Sequence, residues 1–214
     1  FDYMNGESYK GNFSKNSRNG YGEYFHTNGD TYKGYFTNSD RGPYGTYTYN
    51  SDNFLSDSSM TISYMGEYKN NQPNGIGTKI GTDFVYQGNF INNERDGYGV
   101  HLNKGLDSET KSIFSGYFRD DSANGIGKLI YPDGEYYEGG FREGLYHGNG
   151  KLHRPSSGQT WIGFFKDGYM EGKGMLLLDN GMKYEGGFKK GFQHGKGMVT
   201  FEDKTLQEKA FAIR

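Results

Sequence analysis

Glycine followed by lysine is the residue pattern in this chain that could bind a phosphate. It occurs at Gly127-Lys128, Gly150-Lys151, Gly172-Lys173 and Gly195-Lys196. A nucleotide-binding P-loop needs an upstream glycine and a Ser or Thr directly after the lysine, because backbone amides, an ammonium group and a Mg²⁺-binding hydroxyl must converge on the phosphates. None of these pairs is followed by Ser or Thr. The sequence therefore does not support nucleotide binding.

The histidines and carboxylates do not form a catalytic or metal-binding pattern either. A zinc site needs three or four convergent ligands. The chain has no cysteine, and none of its 5 histidines has another histidine four residues away. The acidic residues are scattered, and no Ser, His and Asp stand in a recognisable arrangement. We therefore expect no catalytic residue, no metal and no cofactor, and we interpret the chain as a non-enzyme.

Composition narrows the class of protein. Among 214 residues there are 36 Gly, 20 Tyr and 16 Phe, so the chain is too rich in aromatic residues to be disordered. The net charge of −2 argues against nucleic acid and against purely electrostatic docking on lipid. We find no membrane-length apolar run and no secretory signal, which is compatible with a cytoplasmic protein. Because the sequence begins at Phe1, we expect it to belong to a longer chain.

A pattern of aromatic, any residue, glycine, any residue, aromatic occurs eight times and defines eight repeats. The central glycines are Gly11, Gly34, Gly66, Gly88, Gly116, Gly139, Gly163 and Gly186. The leading rings, two residues before them, are Tyr9, Tyr32, Tyr64, Tyr86, Phe114, Tyr137, Trp161 and Tyr184. The following rings, two residues after them, are Phe13, Phe36, Tyr68, Phe90, Phe118, Phe141, Phe165 and Phe188.

Each repeat continues with a Gly-x-Gly pair at positions +9 and +11 from its central glycine, except that Pro43 replaces the first of them in repeat two. We call these residues the strand-opening glycine and the second-strand glycine. A residue able to adopt a left-handed conformation, such as Asn16 or Gly144, stands at position +5. The fixed spacing within repeats and the variable spacing between them predict a rigid β-hairpin in each repeat.

Glycine normally weakens strands, so its regular recurrence needs a reason. The three glycines of each repeat should leave shallow slots in which aromatic rings lie flat, replacing a conventional core. We therefore predict an all-β fold: an elongated open solenoid of about eight stacked antiparallel β-hairpins, forming one twisted, curved sheet with an aromatic groove. This array should span residues 1–202.

The C-terminal segment, residues 203–214, has a different character. Thr205-Leu206-Gln207-Glu208 has the form of a helix capping box, and Leu206, Ala210 and Ile213 follow at helical spacing. We predict a short amphipathic helix here. Two roles stay open for it: covering the open edge of the last hairpin, or docking on a partner.

The repeat closely resembles the MORN repeat. The best matches are Tyr137-Glu138-Gly139-Gly140-Phe141 with His147-Gly148-Asn149-Gly150, and Tyr184-Glu185-Gly186-Gly187-Phe188 with His194-Gly195-Lys196-Gly197. The resemblance covers roughly residues 6 to 202. Departures are Pro43 in place of glycine, Tyr68, Phe114 and Trp161 as aromatic exchanges, and longer segments at Asn50–Ile62 and Lys104–Ser112.

Two surfaces are candidate interaction sites. A one-layer sheet cannot cover both of its faces, so part of the ring face should stay open as a groove for a partner. The predicted groove residues are Phe118, Tyr137, Phe141, Trp161, Phe165, Tyr184 and Phe188. A secondary surface on the opposite face consists of Ile162, Phe164, Met175 and Leu177, and could be a second contact or a dimer seam.

We therefore expect a non-catalytic scaffold that binds protein partners, with self-association left open. The resemblance implies a cytoskeletal, ciliary or cortical setting, such as an axonemal radial spoke. Two alternatives stay open: a phosphoinositide or membrane tether, and a regulatory arm of a larger enzyme such as a lipid kinase or methyltransferase. Membrane lipid is the less favoured of the possible ligands, and nucleic acid is not expected.

Overall fold

The structure is a computed structural model that describes residues 1–50, 61–104 and 111–202. The predicted C-terminal helix lies outside the described residues. The chain divides into two compact units. Unit one comprises Phe1–Lys111 with Phe118–Asp121, and unit two comprises Ser112–Tyr117 with Ser122–Arg214.

Each repeat forms one antiparallel hairpin, and strands that are neighbours in sequence are neighbours in one open sheet. This confirms the predicted all-β class. A single turn of 3₁₀ helix, Pro155–Ser157, lies between repeats six and seven. Within the described residues the sixteen strands are β1 (Ser8–Ser14), β2 (Ser17–Phe25), β3 (Thr31–Thr37), β4 (Asp40–Thr48), β5 (Thr61–Lys69), β6 (Gln72–Gly81), β7 (Phe84–Ile91), β8 (Glu94–Asn103), β9 (Ser112–Arg119), β10 (Ser122–Ile130), β11 (Tyr136–Arg142), β12 (Leu145–Arg154), β13 (Gln159–Lys166), β14 (Tyr169–Leu178), β15 (Met182–Lys189) and β16 (Phe192–Phe201).

Each hairpin closes with two consecutive residues in the left-handed conformation. In repeat one these are Lys15 and Asn16, with φ of 49° and 62°, and in repeat six Glu143 and Gly144, with φ of 50° and 78°. This is the backbone of a type I′ turn, whose twist matches that of the flanking strands. The sequence predicted the second residue of the turn, but not that lysine and glutamate would take the first.

The central glycine of each described hairpin pairs with the second-strand glycine, as Gly11 with Gly22 and Gly139 with Gly150. Directly beyond that pair the register shifts, so that Phe13 stands opposite Arg18 rather than opposite Gly20. The strand-opening glycine lies in this bulge, with φ between 74° and 107° in the seven repeats that have it. In repeat two the left-handed residue is Gly42, φ 137°, which precedes Pro43.

The prediction that all three glycines form slots is therefore wrong for the strand-opening glycine, which the backbone needs for its conformation. It is right for the other two in seven of the eight repeats. A methyl group placed on Gly88 or Gly99 would overlap the ring of Tyr86. The leading ring lies across both glycines, and its hydroxyl donates to the carbonyl oxygen of Asn89 at 3.0 Å. Tyr137 donates in the same way to Gly140 at 3.0 Å, which explains why most leading rings are tyrosine.

The rings also connect one repeat to the next. The ring of Tyr137 meets Phe141 of its own repeat edge-on at 5.1 Å and Phe165 of the following repeat at 5.0 Å. In unit one, Tyr9 makes the same two contacts with Phe13 at 5.0 Å and Phe36 at 5.2 Å. Such edge-to-face pairs contribute about 0.5–1.5 kcal/mol each beyond the area they bury. A series of edge-to-face ring contacts therefore forms the core of each unit.

The two glycine roles can be separated in repeat six. Replacing Gly150 by Ala should lower the free energy of unfolding by about 3 kcal/mol, because the added methyl group meets the Tyr137 ring. Replacing Gly148 by Ala should cost about 1 kcal/mol, since the space around it is open and only its left-handed φ of 81° is strained. Asparagine tolerates that conformation, so Gly148→Asn should recover part of the loss while Gly150→Asn should not. Urea unfolding measures the stability of all four variants. If asparagine restores stability relative to alanine at both positions, the two glycines do not have different roles.

The buried tyrosines should make the fold sensitive to alkali. Burial raises the pKa of Tyr32, Tyr86 and Tyr137 to about 12. In an unfolded chain tyrosine ionises near pH 10, so between about pH 10 and 12 the folded state holds more protons and loses stability as pH rises. Below pH 10 the contribution is complete. We expect urea midpoints to be level up to pH 9 and to fall steeply by pH 11, together with tyrosinate absorbance. Tyrosinate formation at ordinary pKa values with an unchanged midpoint would contradict this.

Candidate functional site

Six of the seven predicted groove residues are core residues. Each is at most 7% exposed, and Trp161 alone is partly exposed. Phe118 lies in unit one and the other six lie in unit two. Contact between these rings and a partner stays a prediction; what the structure gives them is packing against glycines and against one another. The buried six are Phe118, Tyr137, Phe141, Phe165, Tyr184 and Phe188.

In repeats one, two, four and six the rings are covered by the residue at position +7, which we call the covering residue. Tyr146 stacks on Tyr137 with centroids 3.9 Å apart and planes 11° from parallel. Arg18 places its guanidinium carbon 4.5 Å from the ring centroid of Tyr24 and 5.2 Å from that of Phe36. Sequence reasoning missed this position because its residue type changes from repeat to repeat: Arg18, Arg41, Pro73, Arg95, Ala123, Tyr146, Met170 and Gln193.

Repeat seven departs from the common packing. A methyl group on Gly163 or Gly174 would meet the terminal carbon of Met170, not a leading ring. Met170 is only 2% exposed, so it fills the slot that tyrosine fills elsewhere. The leading ring, Trp161, instead lies beneath Arg154, whose guanidinium carbon is 5.3 Å from the ring centroid.

The predicted secondary surface lies on the opposite face of unit two. Ile162 and Phe164 are 39% and 42% exposed, and Met175 and Leu177 are partly exposed. Ile162 stands directly opposite Met175 across β13 and β14. Both line a shallow surface depression of about 590 Å³ that also includes Lys173 and Glu185. The structure thus brings at least this pair together on an accessible surface; its role as a contact stays a prediction.

A second exposed row lies on the equivalent face of unit one and was not predicted. Its members flank the glycines under the rings, and because strand residues alternate, they point away from the ring core. Tyr21 and Tyr35 face each other across β2 and β3 with ring centroids 5.5 Å apart. The missed signal was the recurrence of tyrosine or isoleucine directly before the second-strand glycine. The outer row consists of Tyr21, Tyr35, Tyr44, Ile76 and Tyr98, which are 46–61% exposed.

Among the described residues of unit one, the titratable groups do not converge on a reactive centre. Burial, together with the charge of Arg95, lowers the pKa of His101 to about 4, so this imidazole is neutral near pH 7. Burial also lowers the pKa of Lys79. In the part of the chain that the structure describes, there is no group of three or more His, Cys, Asp or Glu side chains that could hold a metal ion. Nor is any helix there long and apolar enough to span a membrane.

The paired glycines, the rings across them and the recurring bulge define a single-sheet β-hairpin repeat protein. The family model for the MORN repeat matches seven segments, and the chain belongs to this family, as the repeat pattern predicted. The matched segments are residues 9–31, 64–83, 86–102, 114–136, 137–159, 161–183 and 184–205. Repeat two is not among them, yet its hairpin pairs Gly34 with Gly45 in the common register.

Part of the chain is also similar to curated proteins. Over 108 residues, 49% of this chain, it is 33% identical to Alsin from Rattus norvegicus and 32% identical to Alsin from Homo sapiens. Over 91 residues it is 33% identical to the human ALS2 C-terminal-like protein. The chain spans only 6% of the length of Alsin and 10% of that of the latter protein.

The packing of repeat seven predicts an inverted order of mutational effects. Met170→Ala should cost about 2–5 kcal/mol, because it empties the slot above Gly163 and Gly174. Trp161→Ala should cost less, since that ring is partly exposed and does not cover the glycines. In repeat six, Tyr137→Ala should cost more than Tyr146→Ala. Chemical denaturation of the four variants tests this, and a larger loss from Trp161→Ala than from Met170→Ala would contradict the packing.

Proposed function

We propose that this chain is a non-catalytic protein-interaction scaffold and that its outer row is a partner-binding surface. Membership of the MORN family and the partial similarity to Alsin indicate a repeat-based interaction module. The observation that carries the finer proposal is the outer row itself. The ring core occupies one face of the sheet in unit one, while the other face displays Tyr21, Tyr35 and Tyr44 about half exposed.

The chemistry of the row suits a protein partner. Tyrosine offers a large apolar surface with a polar end and loses little side-chain freedom on binding, which is why it is enriched at interface hot spots. Contiguous exposed apolar patches on soluble proteins commonly mark interaction sites. Glu67 and Asn89 interrupt the row, standing opposite Tyr44 and Ile76. They offer a partner hydrogen-bonding groups between apolar contacts.

The setting of the scaffold is proposed by family analogy only. A cytoskeletal, ciliary or axonemal assembly, or the cell cortex, is the location we favour. The small share of Alsin that the chain spans supports a related proposal, that the array is one part of a larger protein and acts as its regulatory arm. The length of the full protein would distinguish a free-standing scaffold from such an arm.

A membrane tether is a second candidate, favoured by the hairpin turns of unit two. Three successive repeats place an exposed apolar residue beside a basic one across the turn: Arg142 with Leu145, Lys166 with Tyr169, and Lys189 with Phe192. The apolar members are 50%, 60% and 78% exposed. Apolar residues flanked by basic ones bind the interface of anionic membranes. We call this set the turn rim.

Two triple variants separate the candidates. Tyr21→Ser, Tyr35→Ser and Tyr44→Ser together remove part of the outer row, and Leu145→Ser, Tyr169→Ser and Phe192→Ser remove the apolar part of the turn rim. Both sets are exposed, so folding should survive in each, as checked by circular dichroism. Partner proteins are captured from native extract and identified by mass spectrometry. We expect the outer-row variant to capture about tenfold less of them than the parent chain does.

The turn-rim variant should capture the same partners as the parent chain. Flotation with vesicles containing phosphoinositide tests the tether in parallel. The tether proposal would replace the scaffold proposal on two results together. The parent chain would bind the vesicles and the turn-rim variant would not, and the outer-row variant would capture as much protein as the parent chain.

A further inference from the structure

Three repeats of unit one carry arginine as the covering residue, and all three guanidiniums lie over aromatic rings. The carbon of the Arg41 guanidinium is 5.0 Å from the ring centroid of Tyr47 and 5.7 Å from that of Tyr32. Arg95 lies 5.1 Å from Phe118, and Arg18 lies 4.5 Å from Tyr24. The faces of these rings attract the cations and hold the planar groups in place.

Arg95 is neutralised within the fold. Its Nε donates to Oδ1 of Asp121 at 2.9 Å, and a terminal nitrogen donates to the backbone oxygen of the same residue. Asp121 is the second turn residue of the next repeat, with φ of 61°. A carboxylate at this turn position is thus placed to pair with the arginine of the preceding repeat.

Arg18 and Arg41 face neutral residues at the equivalent turn position. The Nη2 of Arg18 donates to the backbone oxygen of Ser39 at 2.9 Å, and the backbone amide of Arg41 donates to Oδ1 of Asn71 at 2.8 Å. Among the described residues, neither guanidinium is within ion-pair distance of a carboxylate. Two cations on the ring face therefore lack the partner that Arg95 has.

Two carboxylates accept hydrogen bonds from the tyrosines that these arginines cover, and both are already engaged with further donors. Glu7 accepts hydrogen bonds from the hydroxyl of Tyr24 at 2.7 Å and from the Asn5 amide at 2.6 Å. Asp30, which is 6% exposed, accepts from the hydroxyl of Tyr47 at 2.9 Å and from the backbone amide of Asn50 at 2.8 Å. They reduce the net positive charge around the two arginines without pairing with either.

The two arginines line one small cavity. It has a volume of about 150 Å³, and its other lining groups include the rings of Tyr32 and Phe36 and the side chains of Ser39 and Asn71. Guanidinium groups bind carboxylates through parallel hydrogen bonds that require a matching planar partner. We propose that this cavity binds a glutamate or aspartate side chain from an acidic segment of a protein partner, between Arg18 and Arg41.

A carboxylate fits this site better than a phosphorylated lipid headgroup does. Glu7 and Asp30 flank the two arginines, so the surroundings favour a singly charged anion over a multiply charged one. The site lies on the ring face, whereas the outer row lies on the opposite face. Its test is therefore separate from the test of the outer row.

The probe is a fluorescein-labelled peptide of alternating Glu and Gly residues, with a peptide of alternating Gln and Gly as the matched control. Fluorescence anisotropy at about 50 mM salt keeps electrostatic attraction measurable. The full chain should bind the Glu peptide and not the Gln peptide. Arg18→Gln combined with Arg41→Gln should weaken binding by about tenfold or more, because charge-assisted hydrogen bonds are lost.

A second variant closes the site without removing either cation. Ser39→Asp reproduces the arrangement of Asp121, so the new carboxylate should pair with Arg18. This pairing should weaken binding of the Glu peptide by about tenfold as well. Arg95→Gln is the control and should change binding by less than about twofold, because Arg95 is already paired. Circular dichroism confirms that each variant is folded.

The proposal is overturned if the Glu peptide does not bind, if the Gln peptide binds equally, or if Arg95→Gln weakens binding as much as the double variant. Recruitment to phosphoinositide vesicles that depends on Arg18 and Arg41, without peptide binding, would assign the site to a phosphate and also overturn it. The outer-row variant should keep full peptide affinity. If the full chain binds the Glu peptide but captures no protein from extract, only the proposal that the outer row binds partners is refuted.

Discussion

The fold depends on the close approach of one tyrosine ring to two glycines that face each other across a hairpin. A side chain on either glycine would occupy the volume of the ring, as the overlap of any methyl group on Gly139 or Gly150 with Tyr137 shows. The ring covers the junction of the two strands and donates its hydroxyl proton to the carbonyl oxygen of the residue that follows the central glycine. Two glycines and one ring are therefore a single packing unit, and the hairpin is rigid because none of the three can change alone.

Perpendicular rings extend this unit along the chain. The leading rings of repeats one to six each meet the following ring of the next repeat. Because this contact depends on the position of one aromatic residue, neighbouring hairpins do not need a connection of fixed length. This explains why spacing between central glycines varies while spacing within repeats does not. Repeat two shows the same logic: Tyr32 lies across Gly34 and Gly45 and meets Tyr68 at 5.3 Å, although Pro43 replaces a repeat glycine.

The sequence predicted the features that recur at fixed spacing. Hairpins, paired glycines with rings across them and left-handed turn residues such as Asn16 follow from period-2 alternation and from the conformations that glycine and asparagine tolerate. Spacing does not reveal backbone φ, so the strand-opening glycines were assigned to slots when they form a bulge. Nor does it reveal how completely rings cover one another, so Phe118 and Tyr137 were expected at an open groove. In repeat seven Met170 fills the space above the paired glycines, because a flexible thioether fills an irregular space as well as a ring does.

A core made of rings on one face has a direct consequence for function. In each unit it leaves the other face of the sheet with exposed tyrosine, isoleucine or phenylalanine. It also leaves the ring face open to covering residues whose type differs among repeats. The outer row and the Arg18 and Arg41 cavity both arise in this way, since neither position is needed for the glycine and ring unit. Variation at such positions allows one repeat architecture to recognise different partners.

The ring currents of the tyrosines test the central claim most directly. Nuclear magnetic resonance of the folded chain should show strongly upfield-shifted α-protons for Gly150 and Gly99, which lie beneath the rings of Tyr137 and Tyr86, and ordinary values for the strand-opening glycines. Gly174, which lies against Met170, should resemble the strand-opening group and is the internal control. If Gly150 and Gly99 show the same α-proton shifts as Gly174, the rings do not rest on the glycines and the account is wrong.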